Sequence, residues 1–242
     1  SGITMQKVGA PIFIRLGNRA RPFVEGAPAP GMGRMRNILI SNVQAGEAQR
    51  VGCAISGIPG HSIENLAIEN VRLSFVGGGT REDARREIPE FPEKYPEHSM
   101  FGTLPAYGLF CRHVRNMSLR NVVLGFAERD ERPAVVCDDV AGLDMSATEF
   151  AGLPDGEPAV RLHNVSDAFL HANRVRTSRA AYLHVSGART SRIRLAANDL
   201  ERAREAARLA VVVLEPVGAV PIEQRLDVLR PAREGRELRP ER

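Results

Sequence analysis

Apolar residues recur in a single register roughly every 25 residues along this chain, and few folds can accommodate such a pattern. The windows Ile3 and Met5, Ile38 and Ile40, Leu66 and Ile68, and Met117 and Leu119 each read apolar, any, apolar. Leu143 and Met145, Ala168 and Leu170, and Ile193 and Leu195 continue the series. First positions lie 35, 28, 51, 26, 25 and 25 residues apart, so the gap of 51 is two periods or one coil with a long insertion. Five residues after each first position stand Val8, Val43, Val71, Val122, Thr148, Asn173 and Asn198. Two residues further on come Leu73, Leu124, Phe150, Val175 and Leu200. The phrases RNILISNV, ENLAIENV and RNMSLRNV are near copies of one another.

Alternation with period 2 marks a strand with one buried face, whereas a helix would repeat its apolar residues at 3 and 4. Short strands broken by Asn or Gly and recurring at a fixed interval describe the coils of a solenoid, each burying its apolar face by stacking on its neighbours. Asn42, Asn70 and Asn121 suit the corners, because Asn tolerates the left-handed region better than most residues. The alternative, a β-sandwich, explains the strands but not the recurring register. The expected fold is therefore all-β: a right-handed single-stranded parallel β-helix over residues 1–214, about seven to eight coils of 25 residues.

Three stretches depart from the repeat. Residues 77–106 are rich in Pro and Gly and cannot form central strands, so they form an excursion from the solenoid wall. Residues 199–210, DLERAREAARLA, read either as a short helix with Asp199 as N-cap or as a last irregular coil. Residues 215–242, with six Arg and six acids, read as a charged, poorly ordered tail.

Composition narrows the chemistry. Only Lys7 and Lys94 among the 33 basic residues are Lys, and the Arg residues are scattered among the acids, so no nucleic-acid face is legible and no such partner is expected. No apolar run approaches the roughly 18 residues of a membrane span, and no membrane partner is expected. Cys53, Cys111 and Cys137 form no CxxC pair, and the His residues show no HxH or HExxH spacing, so no metal and no cofactor is expected. Aligned in the repeat register, Glu69 falls on Arg120, Glu64 on Arg115, Asp167 on Arg192, and Glu149 on Arg174 and Asp199. Such alternating ladders support stacking and need no catalytic explanation. Asp138 and Asp139 fall at a polar corner shared with Arg112, His113, His163 and His61, and read as a solvated turn rather than a catalytic pair. In the excursion, His98 stands near Glu93, Tyr95, Glu97 and Phe101, either a sugar-binding mixture or a loop packing its own aromatics.

The segments PIFIRLGNR (11–19), IPGHSIENLAIENVRL (58–73) and EIPEFPEKYPEHSMFGTLPAYGLFCRHVRN (87–116) resemble bacterial proteins of glycoside hydrolase family 28, the polygalacturonase and rhamnogalacturonase family. The resemblance covers roughly residues 1–200 and implies a pectin-lyase-like β-helix acting on an acidic, pectin-type polysaccharide. Family enzymes hydrolyse α-galacturonosidic bonds with inversion, using Asp residues from an Asn-Thr-Asp segment and an Asp-Asp pair, with Gly-His-Gly and Arg-Ile-Lys later in the chain. None of these signatures occurs here, and PIFIRLGNR resembles the family's segment just past the Arg-Ile-Lys coil, so the chain is expected to be an inactive C-terminal portion of such an enzyme. The alternative is a non-catalytic polysaccharide-binding or structural β-helix.

The resemblance offers Arg15, Asn18 and Arg19 as partners of a substrate carboxylate, or else as a polar corner with surface ion pairs, and Tyr95, His98 and Tyr107 as further substrate contacts. It also implies a secreted or periplasmic location, although SGITMQKVGAPIFIRL has neither an initiator Met nor signal-peptide regions. With a strand already at Ile3, the first coil is expected to expose an edge through which the chain self-associates.

Overall fold

A computed structural model describes residues 2–22, 24–177, 179–209 and 226–228. In chain order the strands are β1 (Ile3–Gln6), β2 (Phe13–Arg15), β3 (Arg36–Ala48), β4 (Cys53–Ser56), β5 (Ile63–Phe75), β6 (Leu109–Phe126), β7 (Val135–Ser146) and β8 (Glu149–Phe150). The series continues with β9 (Val160–His163), β10 (Ser166–His171), β11 (Arg174–Val175), β12 (Arg179–Ser186), β13 (Ser191–Ala196), β14 (Ala203–Leu209) and β15 (Leu226–Val228). The one helix among the described residues is α1 (Arg81–Ala84). Every pairing between named strands is parallel, and the fold is a parallel β-helix.

The chain winds through three walls. The first runs through the leading halves of β3 and β5, the middle of β6, then β7, β10, β13 and β15. The second joins β2, β4, the leading ends of β6 and β7, then β9, β12 and β14. A third stacks β1, the trailing parts of β3, β5 and β6, then β8 and β11. Inward positions form unbroken apolar rows, such as Leu66, Met117, Leu143, Ala168 and Ile193, or Ile68, Leu119, Met145, Leu170 and Leu195. These are the pairings expected from the repeat. The gap of 51 residues is one coil with an insertion, since Leu66 pairs directly with Met117.

One window is misplaced by the repeat alignment. Ile3 pairs with Val43, not Ile38, so β1 belongs to the third wall rather than the first. Period-2 alternation looks alike in every wall, and the irregular segment 16–35 hides the true spacing.

The corners are held by backbone conformation as much as by packing. Asn42, Asn70 and Asn121 all have φ between 52° and 56°, as expected, and Asn37, Asn65 and Asn116 form a second column in the same region. Within each column the side-chain amide of one coil donates to the side-chain oxygen of the coil before it: Asn65 to Asn37 at 2.9 Å, Asn116 to Asn65 at 3.1 Å and Asn121 to Asn70 at 2.9 Å. Outward charges pair between coils as the register requires, with Arg120 to Glu69 at 3.7 Å, Arg174 to Asp199 at 2.9 Å, and Arg192 on Asp167. Cys53, Cys111 and Cys137 are free and buried, and burial pushes the Cys53 thiol up to about 12.

The C-terminal coils bear on two expectations. Of the two readings of 199–210, the helix gives way to the last coil: residues 203–209 are strand β14 on β12, where stacking supplies the backbone with inter-coil hydrogen bonds. Within the expected tail, Leu226–Val228 pairs with β13, and the rest of 215–242 lies outside the described residues.

The excursion 77–106 leaves the third wall and folds back as a strap over the outer face of the second. Thr80 caps α1 in a capping box with Asp83. Met100, Phe101, Leu104 and Ala106 then pack on the outward side chains Ala54, Phe110 and Val136, making a second small core outside the solenoid. Both ends of the strap are tied to one buried ion pair, Arg132 to Asp130 at 2.7 Å, both side chains being 0% exposed. Asp130 accepts from the Gly79 N–H at 3.1 Å, while Arg132 donates to the carbonyls of Arg50 at 2.9 Å and Leu104 at 3.0 Å. Any Cβ at Gly79 would collide with the Arg132 guanidinium. Removing one member of such a pair strands the other charge in the interior, so Arg132→Met is expected to cost about 3–5 kcal/mol, read as a lowered midpoint in chemical denaturation.

Candidate functional site

The strap decides what the end of the second wall can offer. Arg15, closing β2, is buried and spends its donors on Ser56 Oγ at 2.8 Å, the Gly57 carbonyl at 2.7 Å and the strap carbonyl of Glu90. Its guanidinium also lies 5.4 Å from the Phe101 ring centroid. Arg112, two coils on in the same row, donates to the strap carbonyl of Pro89 at 3.0 Å and to that of Ile88. Arg161 reaches the Ala84 carbonyl at 2.6 Å. Burial, then the charge of Arg112, draws Arg15 below its ordinary value, and burial does the same to Arg112 and Arg161. These three side chains form a comb that holds irregular backbone. The expectation that Arg15 meets a substrate carboxylate is corrected accordingly: its donors are consumed within the fold.

The other candidates separate into two groups. Tyr107 is fully buried, and its hydroxyl faces the Ala151 carbonyl at 2.9 Å, so it is a core residue and not a substrate contact. Asn18 receives the strap through its backbone, its N–H donating to the Pro92 carbonyl at 2.6 Å. Arg19 lies over the ring of Tyr95 at 4.7 Å, and Tyr95 is 60% exposed. His98 is exposed and lies against Gly9, where a Cβ would collide with the imidazole. The structure thus lays the strap tip, with Tyr95 and His98, along residues 9–19, and brings Arg19 and Tyr95 into contact.

Beside this seam lies a cavity of about 320 Å³, within the range of small-molecule sites. Leu16 forms one side, with Arg34, His61, Ser62, Glu64 and Arg115 around it. Arg115 and Glu64 are register neighbours at the start of the first wall, and His61 is in the turn that leads into it. No side-chain hydrogen bond or ion pair engages Arg34, His61 or Arg115 among the described residues. Two guanidinium groups and an imidazole therefore converge with a single carboxylate, an arrangement suited to an anionic ligand carrying hydroxyls.

At the corner after the second wall stands a cluster that the sequence showed only in part. His113 has φ of 52° and Asp139 of 54°, in a column continued by Asn164 and Gly187. Asp139 Oδ2 lies 2.6 Å from His113 Nδ1, while Oε1 of Glu90, from the strap, lies 3.1 Å from Nε2. Arg189 pairs with Asp139 at 2.6 Å, and Arg112 with Glu90 at 3.1 Å. Each ring nitrogen of His113 thus faces a carboxylate oxygen, while the other oxygen of Glu90, Oε2, is buried without a partner. Glu90 and Asp139 grip opposite edges of one imidazole and do not line the cavity, so the cluster acts as a clasp for the strap. The register placed His113 over Asp139 in advance. Glu90, on irregular backbone, left no periodic signal.

No protein-family model matches the chain, and no curated protein matches it. Among solved structures it is similar to a crystal structure, at 1.95 Å, of a "putative glycosyl hydrolase" from Parabacteroides merdae. The two are 10% identical, the match covers 72% of this chain and 77% of that one, and the TM-score is 0.33. Fold and site together define a parallel β-helix with a strapped wall and a cationic cavity at its edge.

The clasp carries a pH dependence with a definite sign. Burial raises the Asp139 carboxyl, but hydrogen bonds and charge from His113 and Arg189 outweigh it and hold the group below its ordinary 3.8. A depressed carboxylate contributes stability above its unfolded value and loses it as the pH falls through the folded one. Thermal midpoints are expected to drop as the pH falls below the ordinary carboxylate value of 3.8 and through the lower folded one. Asp139→Asn is expected to shrink that drop and to cost about 1 kcal/mol or less at neutral pH, since the group is partly solvated. Identical acid profiles for the two proteins would remove the clasp.

Proposed function

We propose that this chain is a polysaccharide-directed β-helix of the glycoside hydrolase type that binds an acidic, pectin-like glycan at the cavity edged by Leu16, Arg34 and Arg115. The observation that carries the reading is the convergence of Arg34, His61 and Arg115 in that cavity without partners among the described residues. A uronate carboxylate would take the two guanidinium groups, and ring hydroxyls would meet His61, Ser62 and Glu64. Arg19 on Tyr95, with His98 nearby on the strap, would extend the contact along the seam. The residue-level resemblance to glycoside hydrolase family 28 supports the same substrate class. Hydrolysis of α-galacturonosidic bonds belongs, on this reading, to the full family enzyme, whose Asp signatures this sequence lacks; the chain contributes scaffold and substrate contacts. A secreted or periplasmic setting, where such polymers are met, is part of the proposal.

Calorimetric titration of the chain with oligogalacturonate tests it. Arg34→Ala and Arg115→Ala are each expected to weaken binding about ten-fold or more, since a charge-assisted hydrogen bond is worth roughly 1.5–3 kcal/mol. Methyl-esterified oligomers, which lack the charge, are expected to bind far more weakly. Equal affinity for the two ligands would overturn the reading, and release of reducing ends by the chain would overturn the assignment of binding without cleavage.

A further inference from the structure

The third wall carries a second feature on its outer face. An open groove of about 450 Å³ runs there across the coils, parallel to the solenoid axis. Its rim is one register row, Thr4 on Gln44, Gln44 on Arg72 and Arg72 on Val123, contributed by β1, β3, β5 and β6. At the coil spacing of about 4.8 Å those four strands span roughly 14 Å, the reach of an extended chain rather than a single small molecule. Its floor is formed partly by residues with little or no side chain. Gly46 and Gly125 both line it, and a Cβ built at Gly125 meets nothing within 4 Å.

The chemistry of the lining is one-sided. Arg72 and Arg176 are both present, and neither Asp nor Glu lines the groove. Arg176 is held 3.1 Å from Glu149, just outside it, and Gln6 gives its amide to Glu47. Thr4, Gln44, Arg72 and Ser74 are exposed, and no side-chain hydrogen bond or ion pair engages them among the described residues. Exposed hydroxyl, amide and guanidinium donors thus repeat at coil spacing along a trough without a carboxylate. An extended polymer bearing hydroxyls, with negative charge to meet Arg72, is complementary to it.

We infer that this groove is a second binding site for an anionic polysaccharide, lying along the solenoid axis on a different wall from the cavity at Leu16. The inference extends the proposed function, whose ligand class it shares, but rests on separate residues. A chain held at two walls would be anchored to the protein while a separate segment occupies the cavity.

The test is calorimetric titration of the full chain with oligogalacturonate, comparing Arg72→Ala and Gly125→Glu with Arg34→Ala and Arg115→Ala. Gly125 has ordinary backbone torsion and open space, so Gly125→Glu places a carboxylate in the groove without strain. Circular dichroism checks that each variant folds. The expected result is two classes of site, with the groove variants weakening one at least about ten-fold and the cavity variants weakening only the other. A single class lost in the cavity variants and untouched by Arg72→Ala and Gly125→Glu would overturn the groove and leave the proposed function standing. A single class lost only in the groove variants would support the groove and overturn the cavity. Absence of any binding by the unaltered chain would overturn both.

Discussion

Everything in this molecule depends on each coil hydrogen-bonding in register to the next. A parallel β-helix has no turn of chain that is stable alone, because each coil's apolar face is covered only by the coils above and below. Register is preserved only if every coil turns its corners by the same backbone route. That is the role of the residues at φ near +55°, from Asn37, Asn65 and Asn116 to Asn42, Asn70 and Asn121. Asn supplies the left-handed conformation at low cost, and its amide then continues the stack as a side-chain ladder. Where the ladder gives way to Gly142, Asp167 and Arg192, the conformation persists and an ion pair replaces the amides.

The strap draws on a different physics. It has few regular backbone hydrogen bonds of its own, and a segment laid on protein must still find partners for its carbonyls. Arg15, Arg112, Arg132 and Arg161 provide them, each reaching from the solenoid to strap backbone. Arg suits this use because it offers several donors in a fixed fork and keeps its charge under partial burial. The consequence for function is subtractive. Four guanidinium groups that the bare sequence offers to a ligand are consumed inside, whereas Arg34 and Arg115 at the cavity and Arg72 at the groove keep their side chains without partners among the described residues.

Particular residues show what the chain makes legible. The charge rows Glu69 with Arg120 and Asp167 with Arg192 are readable because inter-coil partners lie one period apart, whatever the insertions between them. His113 over Asp139 comes from the same count. The placement of Ile3 is not readable, since alternation is common to all three walls and an irregular segment of unknown path precedes β3. Composition leaves residues 199–210 open, since Ala, Arg and Glu favour a helix in isolation, whereas the edge of β12 rewards another strand over 203–209. Tyr107 misleads through its neighbours, for a Tyr beside a polar loop looks superficial until its ring is seen between Phe75 and Phe126.

The sequence by itself determined the solenoid: its period, inward rows, corners and charge ladders. All of these come from a repeat in which identical spacing brings identical surroundings. Only the tertiary structure decided the strap's path, the union of Glu90 with His113, the burial of Arg15 and Tyr107, and the two concave surfaces. Those contacts join an aperiodic segment to a periodic one, across separations no repeat encodes, and they are set by which carbonyls and side chains the folded wall leaves unsatisfied.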